Sequence, residues 1–255
     1  DLRDDWQVDS RANLPARLLP LLATLPALRA AVSNSLESVR NNVELQHRFV
    51  AAKDLRLRWG GEWRDESFDS RFYFDGAGKQ GREEQRVFGN MEWRSAPQWL
   101  WNVGALAERV DGQRPRLAPR VFLNWQPSPT STWRIGYSRA WRQPSLFEHA
   151  VDVRIVDDTY GLLQRRFLPN PDIRPQRMDA FELGFLGVLP QGAGVLDVRL
   201  FHERIRDLIV RRAVDVPLDR GDNSLSDPNL LQRLLGGTRW ENHPHDVRLT
   251  GIEYQ

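Results

Sequence analysis

Val39-Arg-Asn-Asn-Val-Glu-Leu-Gln-His-Arg-Phe49 and, a few residues on, Leu55-Arg-Leu-Arg-Trp-Gly-Gly-Glu-Trp-Arg64 decide how this chain folds. In the first stretch Val39, Val43, Leu45 and Phe49 share one parity, while Arg40, Asn42, Glu44, Gln46 and Arg48 share the other. In the second, Leu55, Leu57, Trp59 and Trp63 alternate with Arg56, Arg58, Glu62 and Arg64. A repeat of two is the side-chain period of a β-strand, not the 3.6 of a helix. Each strand therefore has one apolar and one strongly charged face. Ala52-Lys53-Asp54 between them reads as a tight turn.

The same grammar runs along the chain. Val87, Met91 and Trp93 oppose Arg86, Asn90, Glu92 and Arg94; past Ser95-Ala96-Pro97, Trp99, Trp101, Val103 and Ala105 oppose Asn102, Gly104 and Glu108. Val121, Leu123 and Trp125 precede a turn at 127–131, and Trp133, Ile135 and Tyr137 follow it against Arg134 and Ser138. Phe181, Leu183 and Phe185 lead to the turn at 190–194, after which Leu196, Val198 and Leu200 oppose Asp197 and Arg199. Leu186 and Val188 interrupt the polar parity of the Phe181 strand, and a last strand begins near Val247.

Length and loop sorting separate a membrane barrel from a soluble sandwich. The alternating stretches run about 9–15 residues; soluble strands cluster near about 5–6, and tilted spanning strands need about 9–11. Tight turns near 53, 96, 129 and 192 interleave with long polar connections at roughly 65–82, 109–118, 142–178 and 207–245. Short turns at one end and long loops at the other belong to an outer-membrane barrel, short turns periplasmic and long loops outside. The expected fold is all-β: an antiparallel, up-and-down transmembrane β-barrel segment of about nine strands, covering 35–255. Residues 1–34 are then an extracellular loop. Its Leu14–Val32 run reads as a helical segment capping that loop, because Arg17, Arg29, Pro15, Pro20 and Pro26 break it as a spanning helix.

Two groups of side chains follow from this orientation. Trp93, Trp99, Trp101, Trp125 and Trp133 lie within a few residues of short turns on the apolar parity. Amphipathic rings collect at membrane interfaces, so these five are expected to form the periplasmic aromatic girdle. Arg40, Glu44, Arg48, Arg56, Arg58, Glu62, Arg64, Arg86, Glu92 and Arg94 take the opposite parity and are the candidate lumen-facing residues. An arginine-rich lumen attracts carboxylate- or phosphate-rich ligands; the plainer reading is a polar wall of mutual ion pairs.

Composition bounds the chemistry. Of the 255 residues 27% are charged, yet the net charge is only +2, which provides no basic footprint for nucleic acid. Lys53 and Lys79 are the only lysines, and there is no Cys, so no disulfide framework, thiolate nucleophile or Cys-ligated metal site. The chain begins at Asp1, so an export signal is expected to lie outside it. His243-Pro-His245-Asp246 reads as a loop rather than a metal site. Asp152, Asp157 and Asp158 lack the ligand spacing of a dedicated calcium site. No phosphate loop, nucleophile elbow or zinc-protease motif is present. No catalytic residue, cofactor or metal is expected.

Several segments resemble one family. Tyr137-Ser-Arg-Ala-Trp-Arg-Gln-Pro-Ser145 is similar to the strand end of TonB-dependent receptors with its aromatic-Arg-x-Pro-Ser exit. Asn170-Pro-Asp-Ile-Arg-Pro-Gln-Arg177 resembles the family's Asn-Pro-x-Leu-x-Pro-Glu segment, with Gln176 where Glu is usual, and leads into Phe181-Glu-Leu-Gly184. Phe201-His-Glu-Arg-Ile-Arg-Asp-Leu-Ile209 and Gly251-Ile-Glu253 are similar to the strands that follow. The resemblance implies TonB-dependent import of a scarce nutrient, such as a ferric siderophore, haem or cobalamin, through an outer-membrane barrel of about 22 strands occluded by a plug. It implies a Gram-negative outer membrane as location. The partners implied are membrane lipid, a small-molecule ligand such as a metal chelate, and the TonB complex through parts outside this chain. Plug, TonB-contacting box and terminal aromatic strand are not recognisable, so the chain is expected to be a fragment of the barrel. The competing reading is an outer-membrane or secreted carbohydrate-binding or carbohydrate-active β-protein that uses the tryptophans as stacking platforms.

Overall fold

Strands that alternate apolar and charged residues can be satisfied only if their neighbours keep the same parity, and the structure is built on that rule. The computed structural model describes residues 35–157, 161–189, 193–214 and 237–255. The Leu14–Val32 segment and Asp158 lie outside the described residues. Strands β1 (Glu37–Ala52), β2 (Leu55–Asp69), β3 (Gln80–Ala96), β4 (Trp99–Val110), β5 (Arg116–Ser128) and β6 (Ser131–Arg142) come first. Then follow helix α1 (Leu146–Ala150), β7 (Val153–Asp157), β8 (Gly161–Leu168), β9 (Gln176–Val188) and β10 (Val195–Arg206). The last three are β11 (Ile209–Val214), β12 (Gly237–Asn242) and β13 (Val247–Tyr254).

Nine of these make one antiparallel sheet in the order β1-β2-β3-β4-β5-β6-β9-β10-β13, so β1 and β13 border it. Register holds the two parities apart across every pairing. Val43 meets Trp63, while Glu62 meets Arg86 and Arg86 meets Glu108. A one-residue slip anywhere would mix the faces. Among the described residues no helix is long and apolar enough to cross a membrane, a statement that does not bear on strands.

The two ends of the sheet differ. Connections 53–54, 97–98 and 129–130 are two residues long, and the register shifts by a residue beside each. None of these turn residues has a positive φ. The primed turns that match strand twist need positive φ, so the adjacent bulge supplies the extra twist instead. At the other end, the β4–β5 connection is shorter than the 109–118 loop predicted. Strand β5 begins at Arg116, and Asp111 and Gly112, with φ of 48° and 69°, turn the chain as an Asp-Gly pair does.

Among the described residues, the connections after β6 and β10 are more than irregular loops. They carry α1 and a second sheet, β11-β12-β8-β7, in which β12 and β8 run parallel. Phe74 from the β2–β3 loop bridges to Asp152, and the Asp152 amide donates to the Tyr73 carbonyl at 2.9 Å. Phe74, Leu146, Val151, Val153, Ile173 and Ile209 are buried there. Phe167 and Trp240 stack beside them with ring centres 5.3 Å apart, and Phe147 meets both edge-on at 5.9 and 5.4 Å. Among the described residues, most buried apolar side chains thus sit in this cap rather than on either face of the main sheet.

Three Phe–Gly pairs recur across the charged face. Phe88 lies over Gly60, Phe122 over Gly136 and Phe201 over Gly251, each directly opposite in register. A Cβ on Gly136 would stand 2.2 Å from the Phe122 ring, so only glycine admits the ring flat against the backbone. Arginines cover these rings, Arg120 at 4.7 Å from the Phe122 centre and Arg199 at 5.2 Å from Phe201.

Candidate functional site

All ten candidate charged residues fall on one face. Arg40, Glu44, Arg48, Arg56, Arg58, Glu62, Arg64, Arg86, Glu92 and Arg94 are linked by register through β1–β4 without a change of side. This face has two zones, which residue parity alone does not distinguish.

Toward the cap the charges are consumed by one another. Arg86 spends all three nitrogens, Nε on Glu108 at 2.9 Å, Nη1 on Glu62 at 3.1 Å and Nη2 on Glu84 at 2.9 Å. Arg64 reaches Glu62 at 2.6 Å and Glu84 at 3.3 Å, and Gln143 Nε2 donates to Glu108 at 2.7 Å. Arg40 pairs with Glu66 at 2.5 Å. Glu66, Glu84, Glu108 and Gln143 were missing from the predicted set. Glu66 falls inside the predicted 65–82 loop and Glu84 just past it, but following parity of two through β2 and β3 would have found both.

Toward the short turns the balance changes. Arg56 pairs with Glu92 at 2.8 Å, and Arg94 ties down the turn by donating to the Pro97 carbonyl at 2.9 Å. Arg48 and Arg58 stand directly opposite each other, and Arg120 lies in the same row beyond Asn90 and Gly104. None of these three forms an ion pair among the described residues; Arg58 donates to Gln46 Oε1 at 2.5 Å. With Gln46, Asn90 and Asn102 they line a hollow of about 370 Å³. Glu44 stands opposite Glu62.

The five predicted girdle tryptophans form a continuous row on the opposite face. Trp93 meets Trp101, and Trp99 meets Trp125, which meets Trp133. Trp99 and Trp125 stack at 5.7 Å, and Phe185 extends the row 4.7 Å from Trp133. On β4 the row steps from Trp101 to Trp99, toward the turns. Strands tilted against a fixed plane require such a step, because hydrogen-bonded rows then climb relative to that plane. Above the row the face is apolar and open, with Val121, Ile135, Leu183 and Leu200 between 39% and 59% exposed.

The cap is held by charge as well as by apolar packing. Asp152 accepts from Arg165 at 2.6 and 2.8 Å and from Arg154 at 3.0 Å, while Arg154 also reaches Asp75 at 3.0 Å. Burial favours the protonated acid at Asp152, but the hydrogen bonds from Arg165 and Arg154 outweigh it and hold the carboxyl below its ordinary value. Ser145 and Glu148 form a reciprocal capping box on α1, and Arg142 grips Glu148 at 2.9 and 3.0 Å. Burial of Glu148 is likewise outweighed, here by Arg142 and the Ser145 amide, and its pKa is lowered. His243 Nδ1 lies 2.9 Å from the His245 carbonyl, and Asp246 is taken by Arg204 and Arg206.

A long antiparallel meander, apolar and aromatic-belted on one face, charged on the other and short-turned at one end, is the wall of a transmembrane β-barrel. The chain belongs to the TonB-dependent receptor family: the model described as "TonB dependent receptor-like, beta-barrel" matches residues 2–255. Among curated proteins no sequence match was found. Solved structures match at the level of fold. The siderophore receptor PirA from Pseudomonas aeruginosa is 16% identical, with a TM-score of 0.62, over 86% of this chain and 36% of that one. A hemophore receptor, HasR of Serratia marcescens, solved with its hemophore HasA and heme, is 16% identical, with a TM-score of 0.63, over 86% and 39%. The ferric enterobactin receptor PfeA of P. aeruginosa is 16% identical, with a TM-score of 0.62, over 86% and 33%. The chain thus spans about a third of the length of the receptors it matches.

Proposed function

We propose that this chain forms part of the wall of a Gram-negative outer-membrane receptor that imports a scarce nutrient, such as a ferric siderophore, haem or cobalamin, under TonB control. The family match carries this reading, and the sorting of faces and turns agrees with it. In it the apolar face meets lipid, the tryptophan row marks the periplasmic boundary, and the charged face lines the lumen. Coupling to TonB runs through parts of the protein outside this chain. The family is one of receptors and transporters, and no catalytic step is assigned. Arg48, Arg58 and Arg120, lacking carboxylate partners among the described residues, favour a ligand rich in carboxylate or phosphate.

Deleting the gene and measuring uptake of radio-iron chelates, haem and cobalamin under starvation tests the reading. One of these uptakes is expected to disappear and to return with the plasmid-borne gene. A product recovered from the soluble fraction and stable without detergent would sink the proposal and revive the carbohydrate-binding alternative.

A further inference from the structure

On the apolar face of β6, β9, β10 and β13 the rows change character toward the cap. Trp133, Phe185, Val198 and Tyr254 form one row, and Ile135, Leu183, Leu200 and Ile252 the next. Tyr137, Phe181, His202 and Thr250 follow, and then Arg139, Asp179, Arg204 and Arg248. Arg177 and Arg206 face each other one step further. Tyr137, His202, Arg177, Arg204 and Arg206 help to line an open hollow of about 450 Å³.

Five arginines on this patch answer only two carboxylates. Asp179 is shared by Arg139 at 2.7 Å and Arg177 at 2.9 Å, and Asp246 by Arg204 and Arg206. Arg248 forms no ion pair among the described residues and stands directly opposite Arg204. Like charges facing across a strand pair are destabilising, and an anion held between them removes that cost. The patch lies on the lipid-facing side immediately beyond the apolar rows, at the long-loop end, where headgroups are the anions at hand.

We propose that Arg177, Arg204, Arg206 and Arg248 bind the phosphate of an anionic lipid in the leaflet on the long-loop side, with Tyr137 and His202 as the shelf beneath it. Guanidinium suits this role because its fixed fork of donors matches phosphate oxygens. The site is on the outer wall, separate from the lumen, and it rests on the barrel orientation given above.

The test uses the full-length protein carrying this chain, delipidated in a nonionic detergent and titrated with lipid A, lipid A stripped of its phosphates, and phosphatidylglycerol. Native mass spectrometry reads bound lipid. Lipid A is expected to bind at least about tenfold more tightly than its stripped form, the tighter of the two phosphorylated lipids naming the source. R204Q/R206Q/R248Q is expected to lose that preference, at about fivefold per arginine, while R204K/R206K/R248K keeps most of it. R248Q alone removes no ion pair, so its expected fivefold loss is readable even if the triple variant fails to fold. Equal binding of intact and stripped lipid A, or a preference unchanged in R248Q and the triple variant, overturns the proposal alone. A protein that folds without detergent or lipid overturns the barrel reading with it.

Discussion

Gly136 is where the charged face is least forgiving. Its missing Cβ is the floor on which the Phe122 ring lies, with Arg120 above. Gly136→Ala is expected to destabilise the full-length barrel by about 1–3 kcal/mol, as overpacking does, measured by urea unfolding in lipid vesicles. Phe122→Leu in the same background should recover part of the loss; no recovery would mean that the ring is not the obstacle. Arg86 sets a different kind of limit. Removing its guanidinium leaves Glu62, Glu84 and Glu108 crowded without their shared cation. Arg86→Gln should cost about 1–3 kcal/mol, below the value for a fully buried pair because water still reaches part of the side chain. Arg40→Gln, at an exposed pair, should cost less than about 1 kcal/mol. Equal losses in the two variants would refute the distinction drawn between shared and isolated pairs.

At the scale of elements, the cap is pH-sensitive. Asp152 and Glu148 have folded-state pKa values below their unfolded ones. Their stabilisation is complete above the ordinary carboxylate range and is lost as pH falls through the depressed folded values. Amides around Asp152 and Tyr73 should therefore exchange hydrogen faster at about pH 3 than at pH 7, relative to the intrinsic rate, and Asp152→Asn should flatten that difference. An unchanged ratio in the native protein would remove the ion pairs from the account. The long strands were legible in the sequence because each carries its own period-two pattern, and the turns near 53, 96 and 129 because a break in that pattern marks each; the expected turn at 190–194 lies partly outside the described residues. The cap was not legible. Strands β7, β11 and β12 are five or six residues long, and β12 meets β8 through Thr238 and Phe167, far apart in the chain. No local pattern encodes that meeting. Yet Ser145-Leu-Phe-Glu148 is a capping box visible in the sequence, and it marks α1 inside what reads as a polar loop. The partition of the charged face was likewise hidden, since which Glu meets Arg86 depends on register across three strands.

For the whole molecule, the decisive property is that the two faces answer to different solvents. Ile135→Arg puts a charge in the middle of the apolar face, between Leu123 and Leu183. It should lower the stability of the membrane-inserted protein by about 2–4 kcal/mol. Ala118→Arg, on the charged face opposite Leu106, should cost far less. Similar losses for both would mean that the faces are assigned the wrong way round or that no bilayer is involved.

Strands β1 and β13 border the sheet, and β1 presents sixteen residues on that flank. Any such margin carries a ladder of amide and carbonyl groups waiting for a complement. Produced by itself in water, this stretch of chain is a ready template for recruiting copies of itself, strand upon strand, into fibrous aggregate. Safe assembly then depends on timing: the margins must find their proper neighbours, or an escort that occupies them, before they find each other.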